Sequence, residues 1–150
     1  MNNKNEKLEL IEEYGLFLEK YGYTPSAARV YALLMIWEPE ELHFDEVKEI
    51  LNLSKGAASK ALNQLIDMNR VEIMTKPGIR KKFYRLRIFP GKESIEPFIG
   101  YITALSGFMQ KIVDVKQVES EGCSRLEESK SFLNFLKGRL EDSLRLWNEK

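Results

Sequence analysis

Histidine and cysteine are almost missing from this chain of 150 residues, which has His43 and Cys123 and no others of either kind. One of each cannot assemble a structural His/Cys metal cluster or an internal disulfide. Any Ser-His-Asp or Cys-His catalytic arrangement would have to use His43. Neither GxGxxG nor GxxxxGK followed by Ser or Thr occurs, so the common backbone cradles for nucleotide phosphates are excluded. Long apolar runs are lacking too. The longest, Val30 to Trp37, has eight residues, where a spanning helix needs about 20. Met1 to Lys7 is polar and does not form the apolar centre of a secretion signal. Only 9 Gly and 5 Pro are present, with 43% hydrophobic and 31% charged residues. That mixture fills a core for one domain, or one domain with helical extensions, and reads as soluble and cytoplasmic. The carboxylate pairs Glu12-Glu13, Glu40-Glu41 and Glu127-Glu128 fall on helix faces or in a loop and read as solvated surface. No enzyme, cofactor or metal is expected.

What is present is a charge asymmetry hidden under a net charge of zero, from 23 basic and 23 acidic residues. Leu51 to Arg87 holds nine basic residues and two acidic ones, Asp67 and Glu72. Spacing of apolar residues and caps predicts the elements around that segment. Lys4 to Lys20 reads as a helix with Leu8, Ile11, Gly15 and Leu18 on one face, ended by Gly22. Thr24-Pro25 starts a second helix running to Trp37, apolar on most sides and central to the core. Leu42-His43-Phe44 is a short extended piece, and Asp45 is expected to cap a helix reaching about Leu51. Ser54 caps the next, to about Asn69. Val71 to Thr75 and Lys82 to Phe89 read as two strands joined around Lys76-Pro77-Gly78-Ile79, with Pro90-Gly91 closing the unit. Two long helices follow. One runs from Glu93 to Val118, with Pro97 in its opening turn and Ile95, Ile99, Ile102, Met109 and Ile112 on a stripe. Glu119 to Cys123 is a connector. The other runs from Ser124 to Asn148, with Leu126, Leu133, Leu140 and Trp147 at heptad spacing.

Helix, short extended piece, helix, tight turn, helix, hairpin is the layout of a winged helix-turn-helix. On the helix after Ser54, Leu62 and Leu65 lie within about 40° of Ala58, while Gly56, Lys60, Asn63 and Asp67 point the other way, flanked by Ser59 and Gln64. Gly56 and Ala57 let a backbone come close. Ser59, Lys60 and Asn63 suit base edges or phosphates, and the Ser54 end offers free N–H groups. Asp67 should lie beyond any nucleic-acid contact. From Lys76 to Arg87 there are six basic residues and no acid. Lys76, Arg80, Lys81 and Lys82 at the turn are the candidates for phosphate contact, whereas Arg85 and Arg87 alternate with Tyr84 and Leu86 and are candidates for the outer sheet face.

Thr24-Pro25-Ser26-Ala27-Ala28-Arg29-Val30-Tyr31-Ala32-Leu33-Leu34, Leu53 to Leu62, and Pro77-Gly78-Ile79-Arg80-Lys81-Lys82-Phe83-Tyr84 resemble the GbsR/MarR-type winged helix-turn-helix transcriptional regulators, over roughly Gly22 to Arg87. The resemblance implies a mainly α fold with a small β-hairpin wing, and three parts: an N-terminal dimerisation helix over 1–22, a DNA-binding domain over 23–90, and a C-terminal helical hairpin for dimerisation over 91–150. It implies a homodimeric, sequence-specific binder of double-stranded DNA, usually a repressor, acting on a pseudo-palindromic operator. Its DNA contacts would come from Ser54, Lys55, Gly56, Ala57, Ser59, Lys60 and Asn63 plus the wing tip. A small-molecule effector stays open and unidentified, and no membrane partner is expected. The alternative is a winged-helix module for protein–protein interaction, or a ligand sensor, without DNA binding.

Other residues have plainer readings. The heptad stripe of the last helix and the apolar faces of the first favour an isologous dimer. Tyr14, Tyr21, Tyr23, Trp37 and Tyr101 read as core or interface ahead of an aromatic box for a cationic ligand. Cys123, among Glu119, Glu121, Glu127 and Glu128, reads as exposed and unreactive, and His43 as structural. Arg29 has two readings, packing or phosphate contact.

Overall fold

The computed structural model describes residues 3–89, 91–116 and 120–150. Residues 1–88 and 89–150 form two compact units. In the first, helix α1 (Asn3–Glu19) leads to α2 (Pro25–Ile36), strand β1 (Glu41–His43), α3 (Phe44–Ile50), α4 (Lys55–Asp67) and the hairpin β2 (Val71–Lys76) and β3 (Ile79–Leu86). The second holds α5 (Lys92–Lys116) and α6 (Glu121–Asn148). No described helix is long and apolar enough to cross a membrane.

Thr24 caps α2 as expected, its hydroxyl oxygen accepting from the Ala27 N–H ahead of Pro25. Ala27, Ala28, Val30, Ala32, Leu33 and Leu34 of that helix are all buried, which makes α2 the post around which the unit is built. Ile11 and Leu18 of α1, Leu42, Val47, Leu62 and Leu65, and Val71 and Leu86 close on it. Arg29 takes the packing role. Its guanidinium binds Glu12 at 2.5 Å and also Glu19. It lies across Gly15, where a Cβ would stand 2.9 Å from the Arg29 Cδ. The hydrogen bond from Arg29 holds the Glu12 carboxyl below the usual carboxylate range.

The cap of α3 departs from expectation. His43, not Asp45, occupies it: its Nδ1 accepts from the Glu46 N–H at 3.4 Å, and the Glu46 carboxylate accepts from the His43 N–H at 2.9 Å. This reciprocal pair satisfies two otherwise free donors, so the helix begins one residue before Asp45 and His43 is structural. Helix α3 closes with Asn52 at φ 49°, the Leu53 N–H donating to the Lys48 carbonyl at 2.9 Å and the Asn52 N–H to Glu49 at 3.2 Å. That double bond pattern with a left-handed residue is a Schellman closure, and it sets the tight turn into α4. The same closure, around Asn69 at φ 56°, ends α4 at Asp67, two residues before the expected Asn69.

The sheet order is β1-β3-β2, all antiparallel. The second hairpin strand begins at Ile79 rather than Lys82 and ends at Leu86 rather than Phe89. A two-residue turn, with Gly78 at φ 76°, brings Ile79 opposite Lys76, while Leu86 faces Val71 where the partner strand starts. The end of the expected unit, Pro90, lies outside the described residues.

In the second unit α5 and α6 run antiparallel, joined across their contact by Ser106 Oγ donating to Asn134 Oδ1 at 2.9 Å and by Lys130 donating to Gln110. Ile102, Ser106 and Cys123 are buried; Ile95, Ile99, Met109, Leu126, Leu133, Leu136, Leu140 and Leu144 are half-buried. Four expectations fail here. Trp147, the last position of the heptad stripe, is exposed. Ile112 is exposed and Val113 takes the inward position. Pro97 sits at the sixth position of α5 instead of its opening turn. Cys123 is buried, because Ser120 caps α6 and the helix starts at Glu121, placing Cys123 in the first turn rather than in a connector. Gln117, Val118 and Glu119, assigned to the end of α5 and the connector, lie outside the described residues.

Candidate nucleic-acid interface

Helix α4 is amphipathic in the sense its sequence implies. Ala58, Ala61, Leu62 and Leu65 are buried, and Gly56, Ser59, Lys60, Asn63 and Asp67 are exposed, as are Ser54 and Lys55. Ala57 is half-buried. Ser54 Oγ accepts from the Ala57 N–H at 3.1 Å, leaving other first-turn N–H groups free at the positive end of the helix dipole. No atom lies within 4 Å of the place a Gly56 Cβ would occupy, so nothing inside the fold requires glycine there.

A side-chain contact joins the C-terminal half of α4 to the cap of α2. The Thr24 hydroxyl donates to Gln64 Oε1 at 2.6 Å, an ordinary length for an O–H···O bond. Thr24, Ser26, Ser54, Ala57, Lys60 and Gln64 are among the residues lining an open cleft of about 530 Å³. Spacing along the chain marks Thr24 as a cap and does not single out Ser26. The signal for Thr24 was its capping pattern, but a contact spanning 40 residues of chain is not visible in spacing.

At the wing, Arg80 and Lys81 fall in an irregularity of the ladder: Thr75 faces Lys82 and Lys76 faces Ile79, leaving the two residues between without a partner on β2. Arg80, Lys81 and Lys82 are exposed, with no ion-pair partner among the described residues. Lys76 is placed differently. Its ammonium is 2.8 Å from the Glu41 carboxylate and 4.3 Å above the Phe83 ring. Arg85 and Arg87 sit at the outer sheet face, where Arg85 hydrogen-bonds Glu72 at 2.5 Å and Arg87 lies 3.7 Å from the same carboxylate. The bond to Glu72 raises the Arg85 pKa further above its ordinary value.

The aromatic candidates of the first unit pack against neighbouring side chains. Tyr14 and Tyr23 pack edge-on against Tyr31, with centroids 6.2 and 5.5 Å away. Tyr21 stands against Phe17, Trp37 lies under the Lys7 ammonium, and Tyr101 is exposed on α5. Burial, followed by the neighbouring Tyr14 and Tyr23, pushes the Tyr31 hydroxyl pKa up.

Helices α2, α3 and α4, the last two ended by Schellman closures around Asn52 and Asn69, followed by a basic hairpin paired to a third short strand, form a winged-helix fold. Comparison with known proteins agrees. Residues 18–87 match the family described as sugar-specific transcriptional regulator TrmB. The HTH-type transcriptional repressor GbsR of Bacillus subtilis is 27% identical over 154 aligned residues, covering 90% of this chain and 83% of the relative. The HTH-type transcriptional regulator MmpR5 of Mycobacterium tuberculosis is 28% identical over 87 residues, 58% of this chain and 53% of that protein, so the chain spans about half of this relative's length. A crystal structure of a transcriptional regulator, at 22% identity, superposes with a TM-score of 0.70 over 97% of this chain and 99% of the other, which establishes the fold.

Proposed function

We propose that this chain is a homodimeric, sequence-specific binder of double-stranded DNA that represses transcription by covering a pseudo-palindromic operator. The observation that carries the reading is the pairing of a small, polar, exposed face on α4 with a wing tip whose three cations, Arg80, Lys81 and Lys82, have no carboxylate partner among the described residues. Ser54, Lys55, Gly56, Ala57, Ser59, Lys60 and Asn63 enter the major groove, where Lys60 and Asn63 read base edges. The wing tip follows the backbone or the adjacent minor groove. Of the sequence candidates, Lys76 contributes least, since Glu41 already holds it. Asp67, at the C-terminal end of α4, stays away from phosphate.

The word repressor in the name of the Bacillus relative supports the direction of regulation. Self-association is supported by the apolar residues left uncovered on α5 and α6, among them Phe132 and Phe135, and it would set two reading helices about 34–36 Å apart, or a multiple of that. Salt titration of duplex binding tests the proposal. Each cation engaged with phosphate contributes about 0.9 to the slope of log K against log salt, so Arg80→Ala, Lys81→Ala and Lys82→Ala together should flatten the slope by roughly 2 to 3 units per subunit, or about 5 for the dimer. Lys60→Ala and Asn63→Ala should change sequence preference more than slope. Lack of duplex binding at 50 mM salt, or an unaltered slope in the triple variant, overturns the reading.

A further inference from the structure

The six cations of the wing are not equally available. Three of them converge on two carboxylates. Glu41, opposite Arg85 in the β1–β3 ladder, takes the Lys76 ammonium at 2.8 Å and lies 3.8 Å from Arg85. Glu72 takes Arg85 and Arg87. Nothing in the core asks for an acid at position 41. Leu42 is the buried residue of that strand and the Glu41 side chain is directed to the hairpin. The hydrogen bond from Lys76 holds the Glu41 carboxyl below the usual carboxylate range, so it is ionised at neutral pH. Lys76 is fixed from its other side by the Phe83 ring, which itself packs edge-on against His43.

We propose that Glu41 is an electrostatic brake: by holding Lys76 it confines the wing's available positive charge to Arg80, Lys81 and Lys82 and so limits adhesion to DNA of arbitrary sequence. The inference rests on the DNA-binding reading above and adds to it a residue that limits sequence-independent affinity. Non-specific affinity is almost entirely a matter of how many cations meet phosphates, and a regulator must find its site among a large excess of competing sequence. Removing one cation from that contact weakens binding everywhere by the same factor while base contacts from α4 are untouched. The ratio of specific to random binding is then set by α4.

The test is a double-variant cycle on the full chain with a random-sequence duplex, reading the salt slope and the affinity at 50 mM salt. Glu41→Gln, which keeps shape and removes charge, should steepen the slope by about one per subunit, about two for the dimer, and tighten binding at least roughly tenfold. Lys76→Ala in the wild-type background should leave both unchanged within about twofold, and in the Glu41→Gln background should cancel the gain. A flat response to Glu41→Gln overturns the brake. So does a loss from Lys76→Ala alone as large as that from Arg80→Ala, and this second variant decides the matter should Glu41→Gln disturb the sheet edge. If the wild-type chain binds no duplex at 50 mM salt, the DNA-binding reading falls and the brake with it. Binding with a null cycle removes only the brake.

Discussion

The two units of this chain use their apolar residues in opposite ways. In residues 1–88 the central helix has five positions with no accessible surface, and the elements around it bury their own faces against it. In residues 89–150 two helices of 25 and 28 residues meet along a single seam, and Phe98, Tyr101, Phe108, Phe132, Phe135 and Val115 stay exposed. A helix in an antiparallel pair presents one face to its partner, so apolar residues on any other face need a third surface. The first unit carries the features of a self-sufficient fold. The second carries those of half an interface, which is why self-association enters the proposed function.

That contrast can be broken in several places. The largest effect is expected from Leu33→Ala, which empties a fully buried site in α2 and should cost about 2–5 kcal/mol in denaturant unfolding. A loss below about 1 kcal/mol would show that the first unit's core is not the support it appears from burial. Phe132→Ser with Phe135→Ser, both more than half exposed, should instead leave helix content intact and shift the chain from dimer to monomer in sedimentation at micromolar concentration. An unchanged mass would remove those side chains from the proposed interface. Ser54→Ala, which deletes the α4 cap, should cost about 1 kcal/mol and can be read from the thermal midpoint. The smallest effect concerns Tyr31. Its pKa is raised in the folded state, so its contribution is complete below the ordinary tyrosine range, about 10, and is lost as pH rises through the folded value. Tyr31→Phe should therefore make stability fall less steeply above about pH 10 than in wild type; parallel curves would show that burial of this hydroxyl has no thermodynamic weight.

Much of the fold was legible because the rules behind it are short-ranged. Thr24 before Pro25, Ser54 before Lys55 and Pro77-Gly78 each act over three or four residues, and the inward and outward faces of α4 follow from a 3.6-residue period alone. Misreadings arose where local rules compete. Asp45 is the better intrinsic cap, yet His43 wins because Glu46 answers it from three residues on and β1 holds its backbone extended. Cys123 looked exposed among glutamates until the Ser120 cap drew it into a helix.

Sequence alone determined the order of elements, the polar face of α4 and the basic hairpin, since helix period, capping and turn chemistry are written between near neighbours. Tertiary structure decided which charges are free. Lys76, Arg80, Lys81 and Lys82 are alike as residue types, but only a sheet that brings Glu41 beside Lys76 separates one from the other three. It likewise decided that Arg29 clamps α1 through Glu12 and Glu19 across Gly15 instead of facing solvent. An ion pair depends on distance in space, and residues far apart along the chain acquire a distance only when the chain folds.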